Sequence, residues 1–96
     1  MGMQMLMMIV EHEHREKIES ALSEHRVLGY TEIPTVYGTG VTGPRLGSRA
    51  FPETSSIIFT VVEETKVQEL LDAIDSSCSE CRAGMRTIVW KVDRMI

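Results

Sequence analysis

Gly38, Thr39 and Gly40, followed by Arg45 and Arg49, are the residues of this chain best suited to meeting an anion. Glycines let backbone N–H groups approach a phosphate or carboxylate closely, and the planar fork of arginine pairs with such groups bidentately. All five fall in residues 38–55, GTGVTGPRLGSRAFPETS. GTGVTG matches the glycine pattern of dinucleotide-binding folds, but that pattern needs a helix to begin inside it. Here Gly43 is followed by Pro44, and no apolar periodicity appears before Ser56, so that reading fails. Cys78 and Cys81 form a second set. Two such cysteines are most often inert, and the chemical alternatives are a thiol–disulfide switch or half of a zinc site completed by His12 and His14. Met1, Met3, Met5 and Met7 alternate along one strand face. They are potential soft-cation ligands, though methionine more commonly fills a core or a subunit interface. His25 falls on an apolar helix face, as a hydrogen-bonded structural histidine does. No Ser/His/Asp set, activated nucleophile or paired carboxylates can be placed in a pocket, which argues for a binding protein and against an enzyme.

These residues need a scaffold to hold them. Ninety-six residues make one domain, residues 1–96, too small for a second core. A net charge of -4 argues against a nucleic-acid partner. The longest apolar run, Met5 to Val10, is too short to cross a membrane and lacks signal-peptide flanks, so no membrane insertion and a cytoplasmic location are expected. Continuous apolar runs predict central strands over residues 3–10 and 56–62. Helical spacing predicts helices over residues 12–26, ending before Gly29, and over residues 64–76. Residues 31–37 read as a strand, and Pro34 puts it at a sheet edge because proline lacks an N–H to donate. Residues 87–93 alternate as a fourth strand. The order βαββαβ predicts an α+β, ferredoxin-like fold: an antiparallel sheet with strand order 4-1-3-2 and both helices on one face. Residues 38–55 are a loop with too little apolar surface to pack on its own domain, leaving Arg45 and Arg49 exposed. The first helix start, this loop and residues 77–86 then share one end of the sheet.

Residues 21–31, ALSEHRVLGYT, and residues 36–40, VYGTG, carry a resemblance to the nitrogen regulatory PII proteins. The first resembles a helix end and turn common in that family, the second the opening of its T-loop. The resemblance implies a homotrimer binding adenine nucleotides (ATP, ADP or AMP) or a small anionic effector between subunits. It implies that the loop docks on a transporter, enzyme or regulator, with Arg45 and Arg49 as partner-binding residues. The nucleotide or anion site would use Thr31, Gly38, Thr39, Gly40, Gly84 and Arg86, some from a neighbouring subunit. The chain departs from the family at its phosphate loop, which here reads CSECRAGMR over residues 78–86. The only loop tyrosine is Tyr37 at the root, so a modified loop-tip tyrosine is not expected. The alternative on the same fold is a metal-binding or metal-tolerance protein using His12, His14, Cys78, Cys81 or the methionine face.

Overall fold

The computed structural model of the protein describes residues 2–96. Strand β1 (Met3–Glu11) leads through a 3-10 turn at His12–His14 into helix α1 (Arg15–Glu24). Strand β2 (Thr31–Val36) follows, then two short strands, β3 (Gly38–Gly40) and β4 (Gly43–Arg45). Strand β5 (Ser55–Glu63), a second 3-10 turn and helix α2 (Val67–Ser77) come next. A 3-10 segment at Ser79–Gly84 then leads into strand β6 (Arg86–Val92).

The main sheet is antiparallel in the order β2-β5-β1-β6, which is the expected 4-1-3-2 order of its four strands. The two continuous apolar runs became the two central strands for a simple reason: in the middle of the sheet each is paired on both edges and packed by the helices on one face. On β1, Leu6, Met8 and Val10 are fully buried against Ile18, Ala21 and Leu22 of α1 and Leu70 and Ile74 of α2. Each large apolar side chain removed from water there contributes about 1.5–3 kcal/mol before the entropy of ordering is subtracted.

The opposite face of the sheet is apolar and uncovered. Met5 lies beside Val61 and Trp90, and Met7 beside Phe59 and Ile88. Trp90 keeps 43% and Ile88 38% of its surface. Met3, Met5 and Met7 share this face as expected, and Met1 lies outside the described residues.

Two expectations shift locally. The left-handed residue after α1 is Arg26 (φ 55°), not Gly29, because the chain turns as soon as the last helical carbonyls are satisfied. Edge strand β2 does not run evenly to Tyr37: its register breaks between Ile33 and Val36, around Pro34. The Pro34 carbonyl freed there accepts hydrogen bonds from Nδ1 of His12 (2.7 Å) and Oγ of Ser56 (2.6 Å). His25 pairs with Glu69 across the helices (3.2 Å), which is the structural role expected of it.

Candidate functional site

At the end of the sheet where β2, β3 and β6 meet, a cavity of about 300 Å³ opens to solvent. Gly38, Thr39, Gly40, Gly84 and Arg86 line it, together with Arg45. Five of the six residues assigned to an anion or nucleotide site therefore surround one space. Thr31 is not among them: it pairs with Phe59 at the other end of β2, a full strand length from the cavity.

Gly38 and Gly40 do not serve as left-handed turn residues. Positive φ occurs only at Gly43 and Gly47 among the described glycines. Gly38 and Gly40 run in extended backbone, and a Cβ at Gly38 would meet nothing within 4 Å. Their missing side chains keep the wall of the cavity bare.

Residues 38–55 are not the free loop that their composition predicts. β3 and β4 pair as a hairpin, Gly38 opposite Arg45 and Gly40 opposite Gly43, turning through Val41 and Thr42. Beyond it, N–H groups of Leu46 and Ser48 donate to the Phe51 carbonyl (3.3 and 3.0 Å), and Gly47 donates to Glu53 (3.1 Å). Gly47 takes φ +62° with the Tyr37 ring close against it; a Cβ there would come 2.7 Å from the ring. The turn is built for glycine in both backbone and space.

Arg45 corrects the exposed-arginine expectation most directly. Its side chain keeps only 12% exposure and pairs with Glu11 at 3.2 Å. It also donates to Oγ1 of Thr42 (2.8 Å) and reaches the Gly84 carbonyl at 3.5 Å. The domain does bury this arginine, because Glu11 ends β1 beside the hairpin and supplies the charge its head needs. Arg49 behaves as expected, standing exposed on the segment's tip.

Glu11 is the residue that sequence reasoning missed. Its carboxylate lies so close to Gly84 that a Cβ at Gly84 would fall 2.0 Å from Oε1. Gly84 thus lets the strand end, the hairpin and the turn before β6 close on one ion pair. The signal was an acidic residue directly after an apolar run, but four other glutamates follow it by residue 24 and hide it.

Cys78 and Cys81 are joined as a disulfide, which overturns the reading of two inert free thiols. Both are buried in the core cluster where α2 ends. Of the proposed metal partners, His14 converges with them and His12 does not, because the Nδ1 of His12 is engaged at Pro34. Away from the cavity, burial and the neighbouring Glu32 push the carboxyl of Glu19 up to about 7, while Arg15 opposes the shift. No helix among the described residues is long and apolar enough to cross a membrane.

The family model for nitrogen regulatory protein P-II matches residues 3–95. Among curated proteins no significant match is found. The fold is similar to that of CPII, a nitrogen regulatory PII-like protein from Thiomonas intermedia solved with ADP, AMP and bicarbonate. That likeness has 23% identity and a TM-score of 0.72, covering 98% of this chain and 91% of that one. CPII bound to ADP and bicarbonate aligns at 24% identity and a TM-score of 0.74, covering 98% and 91%. A DUF3240 family protein from Shewanella baltica has a TM-score of 0.77 at 17% identity, covering 99% of this chain and 94% of that one. At these identities the structural likeness speaks for the fold.

Proposed function

We propose that this chain, which belongs to the nitrogen regulatory protein P-II family, is a regulatory protein that reads an adenine nucleotide and signals through residues 38–55. The observation that carries the reading is the cavity at the hairpin root. Gly38, Thr39 and Gly40 provide an open backbone wall, and Arg86 provides positive charge for phosphates, the charge of Arg45 being taken up by Glu11. CPII, of the same fold, was solved with ADP, AMP and bicarbonate, a nucleotide and small-anion set that this cavity suits.

The working unit in this reading is a homotrimer. The uncovered methionine-rich face offers an apolar surface of the kind that obligate interfaces bury. Thr31 reaches a nucleotide only from a neighbouring subunit, because its own strand carries it away from its own cavity. The hairpin and the tip that bears Arg49 then form the surface that a partner protein meets. Arg45 holds this surface in place from beneath, while Arg49 is free to touch the partner.

An affinity of about 10–100 μM for ATP, ADP or AMP is expected, since the family's phosphate loop is altered here to residues 78–86. At 1 mM ligand this stabilises each site by roughly 1.4–2.7 kcal/mol. Calorimetric titration with ATP, ADP and AMP, with and without bicarbonate, tests the site, and sedimentation tests the trimer. A stable monomer, or no heat and no melting shift at millimolar nucleotide, would overturn the reading.

A further inference from the structure

We propose that His14, Cys78 and Cys81 form a zinc site that opens when the disulfide is reduced. Donor atoms of the three residues lie within 4.8 Å of one another. Four ligands around a tetrahedral zinc, with sulfur at about 2.3 Å, stand about 3.8 Å apart, so the imidazole is already within reach and the two sulfurs, bonded here, must part by turning their side chains. Their positions follow from the fold. Cys78 closes α2, its N–H bonded to the Ile74 carbonyl at 3.0 Å. Cys81 sits one turn on, its N–H bonded to the Cys78 carbonyl at 3.2 Å, so one rigid knuckle presents both sulfurs. His14 enters from the start of α1, and Oε2 of Glu11 stands 3.5 Å from its Nε2. Both cysteines are buried and His14 keeps 16% exposure, leaving a sheltered site with one open side.

The disulfide is what gates it. It joins residues only three apart in sequence, so it restrains little of the unfolded chain, and the fold is expected to survive its reduction. Opening consumes two electrons and two protons, supplied by two molecules of a thiol reductant. One donor thiolate attacks a protein sulfur and breaks the Cys78–Cys81 bond. The second attacks the donor sulfur of that mixed disulfide and releases the protein sulfur, leaving two protein thiols and one donor disulfide. Zinc then takes the place of two thiol protons, and imidazole is its third protein ligand. Oxidised, the sulfurs bind each other and the site has no thiolate to offer. The proposal is independent of nucleotide binding, since its three ligands lie outside the cavity wall.

The test uses the full chain in two states, reduced and oxidised, with the excess reagent removed from each. Zn²⁺ is titrated against a chromophoric chelator, and Co²⁺ is added in parallel to read thiolate-to-metal charge transfer. The expected result is one zinc per chain in the reduced protein, with a charge-transfer band, and none in the oxidised protein. His14→Ala should weaken zinc at least tenfold while the disulfide still forms at the wild-type rate. Circular dichroism of the reduced wild type needs no variant and should show the native fold. Equal zinc uptake in both states, no uptake in the reduced state, an unfolded reduced protein, or wild-type affinity in His14→Ala would each overturn the proposal.

Discussion

Replacing Arg45 with methionine keeps the aliphatic stem and removes the charge that neutralises Glu11. The side chains retain only 12% and 20% exposure, and their heads are 3.2 Å apart. Breaking a fully buried pair costs about 3–5 kcal/mol, because a carboxylate is left without a partner, whereas an exposed pair is worth about 0–1 kcal/mol. The Glu11–Arg45 pair, partly exposed, lies between those limits. Losing the Thr42 hydrogen bond adds to the cost, so a net loss of about 2 kcal/mol is expected. For a domain this small that lowers the melting temperature by about 8–16 °C. Arg49→Met, on the exposed tip, should stay within about 0.5 kcal/mol of wild type. Denaturant titration of both variants at one fixed protein concentration makes the comparison, since an oligomer's stability depends on concentration. Adding Glu11→Gln to Arg45→Met should recover roughly half the loss, because it removes the orphaned charge. If Arg45→Met and Arg49→Met prove equally stable, the ion pair does not hold the hairpin and the argument fails.

Gly84→Ala should destabilise by about 1–3 kcal/mol through overpacking against Glu11, and the penalty should vanish in a Glu11→Ala background, as melting curves of the four proteins would show. Gly47→Ala combines a left-handed backbone with contact against Tyr37, so limited proteolysis should cut within residues 38–55 faster than in wild type. Tyr37→Ala added to it should leave only the backbone part of that effect. Glu19 has its folded pKa pushed up to about 7, so the folded state holds a proton that the unfolded chain releases near 4.5. Its contribution is complete below about 4.5 and is lost as pH rises through about 7, so Glu19→Gln should flatten that decline in a stability–pH series.

The sheet was legible because its signals are local. Two unbroken apolar runs announced β1 and β5 as central strands, and Pro34 announced the edge. Helical spacing located the buried faces of α1 and α2 within a few residues. The cavity was partly legible, since Gly38 to Gly40 and the stretch from Gly84 to Arg86 arrive at one sheet end in any fold of this topology. What escaped was every feature decided by side chains far apart in the chain. Composition marked residues 38–55 as loop, yet Glu11 lies 34 positions from Arg45 and gives that segment an anchor no local pattern records. The spacing of Cys78 and Cys81 allowed three fates, and only the knuckle at the end of α2 brings their sulfurs together. His12 and His14 looked equivalent in sequence. A break in β2 register at Pro34 separates them by exposing a carbonyl that His12 takes.

The position of β1 in the sheet has a consequence for how the chain folds. It is the first strand made and the most enclosed, pairing Leu6 with Thr60 on one side and Val89 on the other. Neither partner exists until more than half of the chain has been synthesised, so its methionine-rich run must wait with both edges bare. Pairings this distant slow folding, because loop closure must precede any gain from contact. Until β5 arrives, a nascent chain holds an open strand edge of the kind that invites association with other chains. Methionine, flexible and less β-prone than valine or isoleucine, makes this run a poorer template for such pairing than a β-branched strand would be.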